Sequence, residues 1–388
     1  MGWINFNFYI LAFIIRSRVR GIFQRLGAFF IFSEMFVKQY LYDRICTSDM
    51  VESLQIYNCA PNNEIQHLIR FGFVFPGQGA QTAGMCLDLY GKSYSATKLI
   101  DQAALTVGDE LIYMMFDPSR GEELAATQNA QPALVVAGLA HLVNYLELNP
   151  GIHDVAPALF IGQSLGELTA MIAAGALSFE DGLKIACTRG EIMAKAPAGI
   201  MMAVNLALNP ARKLAAEYEV DVSNVNSDSQ TVLSGSAEAM AQLQENLKSQ
   251  KIAAKKLDIS IASHSRLMEV AQRDFAQAIA HIPFHDAHTP VVTGVTQQPE
   301  KEGSILKQAL IEQLTKTIDL PAMLTAAAGF GLGVSKFLEF GPRGKSKYGT
   351  LTANIMAYGG SSRSVCIDTY EEAVINPFRD VNTRFYAK

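Results

Sequence analysis

Ser164 lies in Gly162-Gln163-Ser164-Leu165-Gly166-Glu167, a G-x-S-x-G pattern that puts a serine on a sharp turn from strand to helix. The hydroxyl is lifted clear of the backbone there, and the Leu165 N–H at the helix start points toward a developing oxyanion. A serine is a weak nucleophile until a base takes its proton. Among the seven histidines, His264 is the best candidate. It follows an expected strand in Ile261-Ala262-Ser263-His264-Ser265, and serine before histidine is the chain order of α/β-hydrolase-type sites. By itself the pattern fits an ordinary serine at a helix start equally well.

Arg189 discriminates further. On the helix expected from Ser178, it shares a face with Ile185, Ile192 and Met193. An arginine on an apolar stripe either snorkels, joins a structural ion pair, or grips a substrate carboxylate with two parallel bonds. In the last case an uncharged acyl group would leave the buried charge unpaired, which selects by rejection. Gln78, in the loop after the first strand, is placed to offer its N–H as a second oxyanion donor. Gln131, Asn224 and Asn226 stand at element ends, where they either line a pocket or cap turns. His281, His285 and His288 have metal-like spacing, but only Asp286 accompanies them, so no metal site is expected.

The elements that must position these residues read as α/β. Phe71–Phe75 and Ala156–Ile161 are short apolar runs, each followed by a glycine-containing turn, and so read as buried strands. Helices are expected around Ala83–Leu89, Tyr94–Val107, Pro132–Leu146, Leu165–Ala174 and from Ser178, with Asp181 placed as in a capping box. Between Gly199 and Ile261 the order is strand, helix, strand, strand, helix, strand, with Asn209 opening the first helix. That is the ferredoxin-like split unit, expected to be complete in itself. Strands at Val291–Val295 and Phe337–Phe340 and a helix over Ile305–Thr317 follow. The fold class is thus α/β, a hydrolase-like parallel-sheet core with an inserted ferredoxin-like α+β subdomain. The core takes 71–198 and 262–367, the insert 199–261, and a polar tail 368–388.

The first 70 residues differ. Trp3–Ile15 is almost wholly apolar, Arg16, Arg18, Arg20 and Arg25 follow, and no acid precedes Glu34. The run is shorter than the roughly 20 residues that span a bilayer, and a secretory signal would carry its charges ahead of it. A loosely attached leader, an interfacial helix or an organelle transit peptide are the readings left. With 18% charged and 49% apolar residues the rest suits a folded enzyme, and a net charge of −5 argues against a nucleic-acid partner. Five cysteines without metal spacing fit buried small hydrophobes in a reducing compartment.

Taken together, FPGQGAQ at 75–81, Gln131-Pro132-Ala133, GQSLGE at 162–167, Thr188-Arg189-Gly190 with Met193, Asn224-Val225-Asn226-Ser227, Ser263-His264-Ser265 with Met268, and Glu339-Phe340-Gly341-Pro342 stand in one family's order. From about Phe71 to Ile367 the chain resembles the malonyl-CoA:acyl-carrier-protein transacylases. The resemblance implies a ping-pong reaction. Ser164, with His264 as base, takes malonyl from malonyl-CoA and passes it to the phosphopantetheine thiol of holo acyl carrier protein. It further implies an oxyanion hole of the Gln78 and Leu165 N–H groups, and a malonyl carboxylate on Arg189. It also implies a histidine oriented by a main-chain carbonyl, and no cofactor. A monomer working in the cytoplasm is expected, or in an organelle if the leader is a transit peptide. The family usually has histidine where this chain has Gln163, at the edge of the acyl pocket, and lacks the basic run Arg343–Lys347. Other readings are a branched-extender acyltransferase, an esterase or carrier-protein acyl hydrolase, and a non-catalytic scaffold; Arg189 argues against the hydrolases.

Overall fold

The first strand, β1 (Arg70–Phe75), is buried at every position after the first, as a central strand must be when helices cover both faces of a parallel sheet. The computed structural model describes residues 70–149, 157–359, 364–369 and 372–373. The leader readings, Cys46, Cys59, the start of the second strand at Ala156 and most of the tail lie outside the described residues.

After β1 the chain turns repeatedly where a helix was expected over Ala83–Leu89. Gly84 and Cys86 both adopt left-handed backbone (φ 87° and 64°), which interrupts a helical ladder. Then come α1 (Tyr94–Val107), α2 (Asp109–Phe116), α3 (Gly121–Ala125) and α4 (Thr127–Leu148). Helix α4 starts at Thr127, ahead of the expected Pro132, and carries the proline inside it. Near-complete burial from Ala130 to Tyr145 holds it helical despite the lost ladder bond. Strand β2 (Leu159–Gly162) leads into α5 (Leu165–Ala173), and α6 (Phe179–Ala194) opens with Ser178 Oγ accepting from the Asp181 N–H at 3.0 Å.

Next come β3 (Ile200–Val204), α7 (Leu208–Glu217), β4 (Asp221–Ser227), β5 (Gln230–Gly235), α8 (Ala237–Ser249) and β6 (Ala254–Lys256). Helix α7 is opened by Ala207 without a side-chain cap; Asn209, expected there, lies inside the first turn. The remaining elements are α9 (Glu269–Ala278), β7 (Val291–Val292), β8 (Pro299–Glu300), α10 (Gly303–Glu312), β9 (Ile318–Asp319), α11 (Leu320–Ala328), β10 (Val334–Phe340), α12 (Thr350–Gly359) and β11 (Ser364–Ile367). Strand β7 stops short of the expected Val295 because Thr293 Oγ1 accepts the Thr296 N–H and bends the chain into a turn. Helix α10 likewise ends at Glu312 and not Thr317, which leaves the carbonyl of Gln313 outside the helical ladder.

One sheet has the order β11-β10-β1-β2-β7-β8, parallel except for the β7–β8 pair. Period-two alternation along β1 sends Phe73 and Phe75 to one core, beneath α4, α5 and α6. It sends Val74 to another with Leu320, Met323 and Leu351. The second sheet runs β6-β3-β5-β4-β9. Its strands β3 to β6 pair antiparallel and have split-unit topology, and α7 and α8 cover one face through Ala211, Met240, Leu243 and Leu247. The unit was expected to be complete in itself, but its sheet has a fifth strand from outside it. Strand β9 adds to its edge in parallel, Ile318 opposite Asn224, and ties the segment after α10 to β4.

Glu339, on β10, is fully buried and caps α12. Its carboxylate accepts the N–H of Leu351 at 3.1 Å and of Thr352 at 2.6 Å. Burial raises its pKa, opposed by those donors. Glu339→Ala strands two buried N–H groups and should cost about 2–4 kcal/mol in denaturant unfolding, with Glu339→Gln costing less. Equal stability of wild type and Glu339→Ala would contradict the capping role.

Candidate active site

The elbow is built by close packing. A Cβ on Gly162 would overlap the main chain of Gly166 and Glu167, and one on Gly166 would overlap the carbonyl of Phe75. Only glycine lets β2, the turn and α5 approach β1 this closely. Ser164 is held at φ 54°, ψ −108°, a conformation that costs a non-glycine residue energy and persists only when its surroundings fix it. Parallel pairing of β1 with β2, Phe75 opposite Gly162, brings the loop after β1 against the elbow; a Cβ on Gly77 would lie 2.6 Å from the Gln163 carbonyl. Among the described residues, the N–H groups of Gln78 and Leu165 have no hydrogen-bond acceptor. The side chain of Gln78 points its amide to Thr127 Oγ1 at 3.2 Å.

His264 also has left-handed backbone (φ 58°), in a turn that Ser265 fixes by donating its hydroxyl to the Ala262 carbonyl. Its Nε2 is 2.8 Å from Ser164 Oγ, and its Nδ1 is 2.5 Å from the Gln313 carbonyl. A carbonyl only accepts, so Nδ1 carries the proton and Nε2 is free to accept from the serine. Burial lowers the pKa of the imidazole to about 4, with the charge of Arg189 acting in the same direction and the Gln313 carbonyl opposing.

Arg189 is almost wholly buried on α6. Its Nη1 donates to Gln131 Oε1 at 2.8 Å; Nη2 donates to Gln313 Oε1 at 3.2 Å and reaches Ser164 Oγ at 3.3 Å. Its Nε has no acceptor among the described residues. Burial lowers its pKa to about 10, opposed by Glu167. Base and guanidinium therefore converge on one hydroxyl. Gln163, also beside the serine, reaches across to the second sheet, its Nε2 3.4 Å from Asn226 Oδ1, while Asn226 Nδ2 donates to Gln230. Asn224 is buried on β4 beside Ile318 but makes no side-chain hydrogen bond to this group.

Two residues of the site were not anticipated. Gln313 supplies its carbonyl to His264 and its amide oxygen to Arg189. Its Nε2 donates at 3.2 Å to Oε2 of Glu167, whose Oε1 accepts the Gly294 N–H at 2.9 Å. Burial pushes Glu167 up to about 8, against the pull of that N–H and of Arg189. A glutamate in the first turn of α5 reads as an ordinary partner of the helix dipole, and nothing in a sequence marks a helix-end carbonyl as an acceptor. In the basic run Arg343–Lys347, Arg343 is partly buried and pairs with Asp368 and Glu372. Cys86 and Cys366 are buried, Cys187 half-buried, and all three are unpaired.

The neutral imidazole is the form that accepts the serine proton. Modification of Ser164 by a serine-directed phosphonate should hold steady as pH falls past 6.5 and decline only near pH 4. A midpoint near 6.5 would show the histidine to be solvated. Below pH 6.5 the unfolded chain binds a proton that the folded one refuses, so His264 also lowers stability as pH falls from 6.5 toward 4.

A family model described as "Acyl transferase domain" matches residues 72–332. The malonyl CoA-acyl carrier protein transacylase of Staphylococcus aureus strain MRSA252 is 34% identical over 281 residues, 69% of this chain and 87% of the relative. That of Bacillus subtilis strain 168 is 33% identical over 284 residues, 70% and 87%. Among solved structures, the transacylase of Coxiella burnetii superposes with a TM-score of 0.73 at 29% identity, covering 80% of this chain and 98% of that one. A malonyl-transacylase solved in complex with a type II PKS acyl-carrier protein gives 0.71 at 26% identity, covering 80% and 99%. By the family model, the identity and coverage of these relatives and the shared fold, the chain belongs to the acyl transferase family of the malonyl CoA-acyl carrier protein transacylases.

Proposed function

We propose that this protein transfers a malonyl group from malonyl-CoA to the phosphopantetheine thiol of acyl carrier protein. One observation carries the reading: His264 Nε2 and Arg189 Nη2 lie 2.8 and 3.3 Å from the same hydroxyl of Ser164. A short acyl group bound at that oxygen can reach the guanidinium with a carboxylate at its far end. Relatives named for malonyl transfer, and one solved with an acyl-carrier protein, support it.

In the first half-reaction Ser164 Oγ attacks the thioester carbonyl while its proton passes to His264 Nε2. The oxyanion meets the N–H groups of Gln78 and Leu165, one such donor being worth roughly 3–4 kcal/mol in a transition state. The C–S bond breaks, CoA takes the proton from His264, and a malonyl-serine ester remains. In the second, the carrier thiol attacks the ester, gives its proton to His264, and leaves as the malonyl thioester when Ser164 recovers the proton. Arg189 pairs with the malonyl carboxylate throughout, and Gln131 and Gln313 hold the guanidinium in place. Gln163 and Asn226 border the acyl pocket across the gap between the two sheets, with Asn224 behind them. A CoA thioester and a carrier protein as substrates support a cytoplasmic or organellar site of action. Arg189 disfavours the hydrolase reading, since an uncharged acyl group would leave its charge buried and unpaired.

Intact mass after brief mixing with malonyl-CoA should show one malonyl adduct, absent in Ser164→Ala and discharged by holo acyl carrier protein. Free malonate and CoA without an adduct would instead indicate a hydrolase. Arg189→Ala should lower malonyl loading on the order of 10²-fold while acetyl loading or hydrolysis rises, because the lost bonds are to a charged group. An unchanged malonyl preference would rule out the clamp.

A further inference from the structure

Glu167 is the buried acid of the site that this mechanism leaves unused. It lies in α5 one turn after Ser164, wholly buried and the only charged residue type in that helix. Each of its oxygens receives an N–H: Oε1 from Gly294 and Oε2 from the Gln313 amide. A glutamine amide has a donor end and an acceptor end. With Nε2 committed to Glu167, the Gln313 oxygen must face Arg189 Nη2, 3.2 Å away. The flipped amide would set its NH2 against guanidinium N–H groups, donor against donor. Gln131 supplies a second amide oxygen to Arg189 Nη1. Arg189 is therefore held by two neutral amide oxygens, and Glu167 is joined to it by hydrogen bonds only through Gln313, although the two groups also attract each other through space.

We propose that Glu167 is a positioning residue for acyl selection: by fixing the Gln313 amide it orients Arg189 without neutralising it, and so reserves that charge for the carboxylate of the incoming acyl group. The inference rests on the functional reading above and deepens it. An acid in direct contact with Arg189 would hold the guanidinium as firmly but would compete with the substrate carboxylate for its donors. One residue further back, the acid keeps the orientation and leaves the fork open. The carboxylate also anchors the Gly294 turn, so a purely structural role must be separable by experiment.

The separation lies in the ratio of two substrates. Loading of the full chain from malonyl-CoA and from acetyl-CoA is followed by CoA release, above pH 8 so that Glu167 is ionised. Glu167→Gln preserves size but turns one acceptor into a donor, so either the Gly294 N–H or the Gln313 amide meets an NH2. The malonyl-to-acetyl ratio of kcat/KM should fall about tenfold or more, mostly through a higher KM for malonyl-CoA, as expected for losing a hydrogen bond to a charged group. Gln313→Met, which keeps the main-chain carbonyl that holds His264, should lower the ratio similarly and serves if Glu167→Gln does not fold. Parallel slowing with both substrates, or an unchanged ratio in folded protein, would overturn the proposal. A wild type with no malonyl preference would overturn the functional reading itself, and this inference with it.

Discussion

The site depends on how closely the elbow packs on β1. Gly162 and Gly166 let the turn lie directly on the Phe75 carbonyl and the start of α5. In that contact Ser164 is held in left-handed backbone, its hydroxyl outward and a helix N-terminus behind it. The same contact fixes the loop carrying Gln78, because β1 and β2 pair in parallel with Phe75 opposite Gly162. Three things the proposed chemistry needs, an exposed hydroxyl and two free N–H groups, thus follow from one steric constraint. A methyl group on either glycine would move all of them together.

The second organising feature is the end of α10. A helix end always leaves carbonyls without intrahelical partners, and here the Gln313 carbonyl accepts a hydrogen bond from the Nδ1–H of His264. That fixes the tautomer, so no acidic third member is needed to orient the base. The side chain of the same residue meets Arg189 and Glu167. A single position therefore connects the base, the guanidinium and a buried acid. Strand β9, only five residues on, is pinned to β4, so the placement of this helix end is shared between the two sheets. Burial then sets the charge states: it lowers His264 to about 4 and raises Glu167 to about 8.

The gap between the sheets is closed over the serine by side chains from both, Gln163 from the elbow and Asn226 from β4. The family more often has histidine in place of Gln163. Here an amide that both donates and accepts joins the two sheets through Asn226 and Gln230. The edge of the elbow is thus tied to an element far from it in the chain, β4 of the second sheet.

What the sequence determined by itself was local. The elbow, the strands around it, the helix of Arg189 and the split-unit order are set by glycine placement, period-two apolar runs and capping residues, all within a few positions of the residues they govern. Ser164, His264 and Arg189 were legible because a nucleophile turn, a histidine after a strand and a charge on an apolar stripe are each unusual locally. The segment Ala83–Leu89 was misread as a helix because Cys86 has left-handed backbone, which a cysteine does not signal. Asn209 was misread as a cap because the chain could enter α7 from Ala207 without one. Gln313 and Glu167 could not be read at all. A main-chain carbonyl is the same for every residue type, and an acid at a helix start has a commoner explanation. Only the tertiary structure could join residues 131, 167, 189, 264 and 313 into one network, with Arg189 and His264 meeting at the Ser164 hydroxyl, because hydrogen bonds over such separations are decided by how the elements pack.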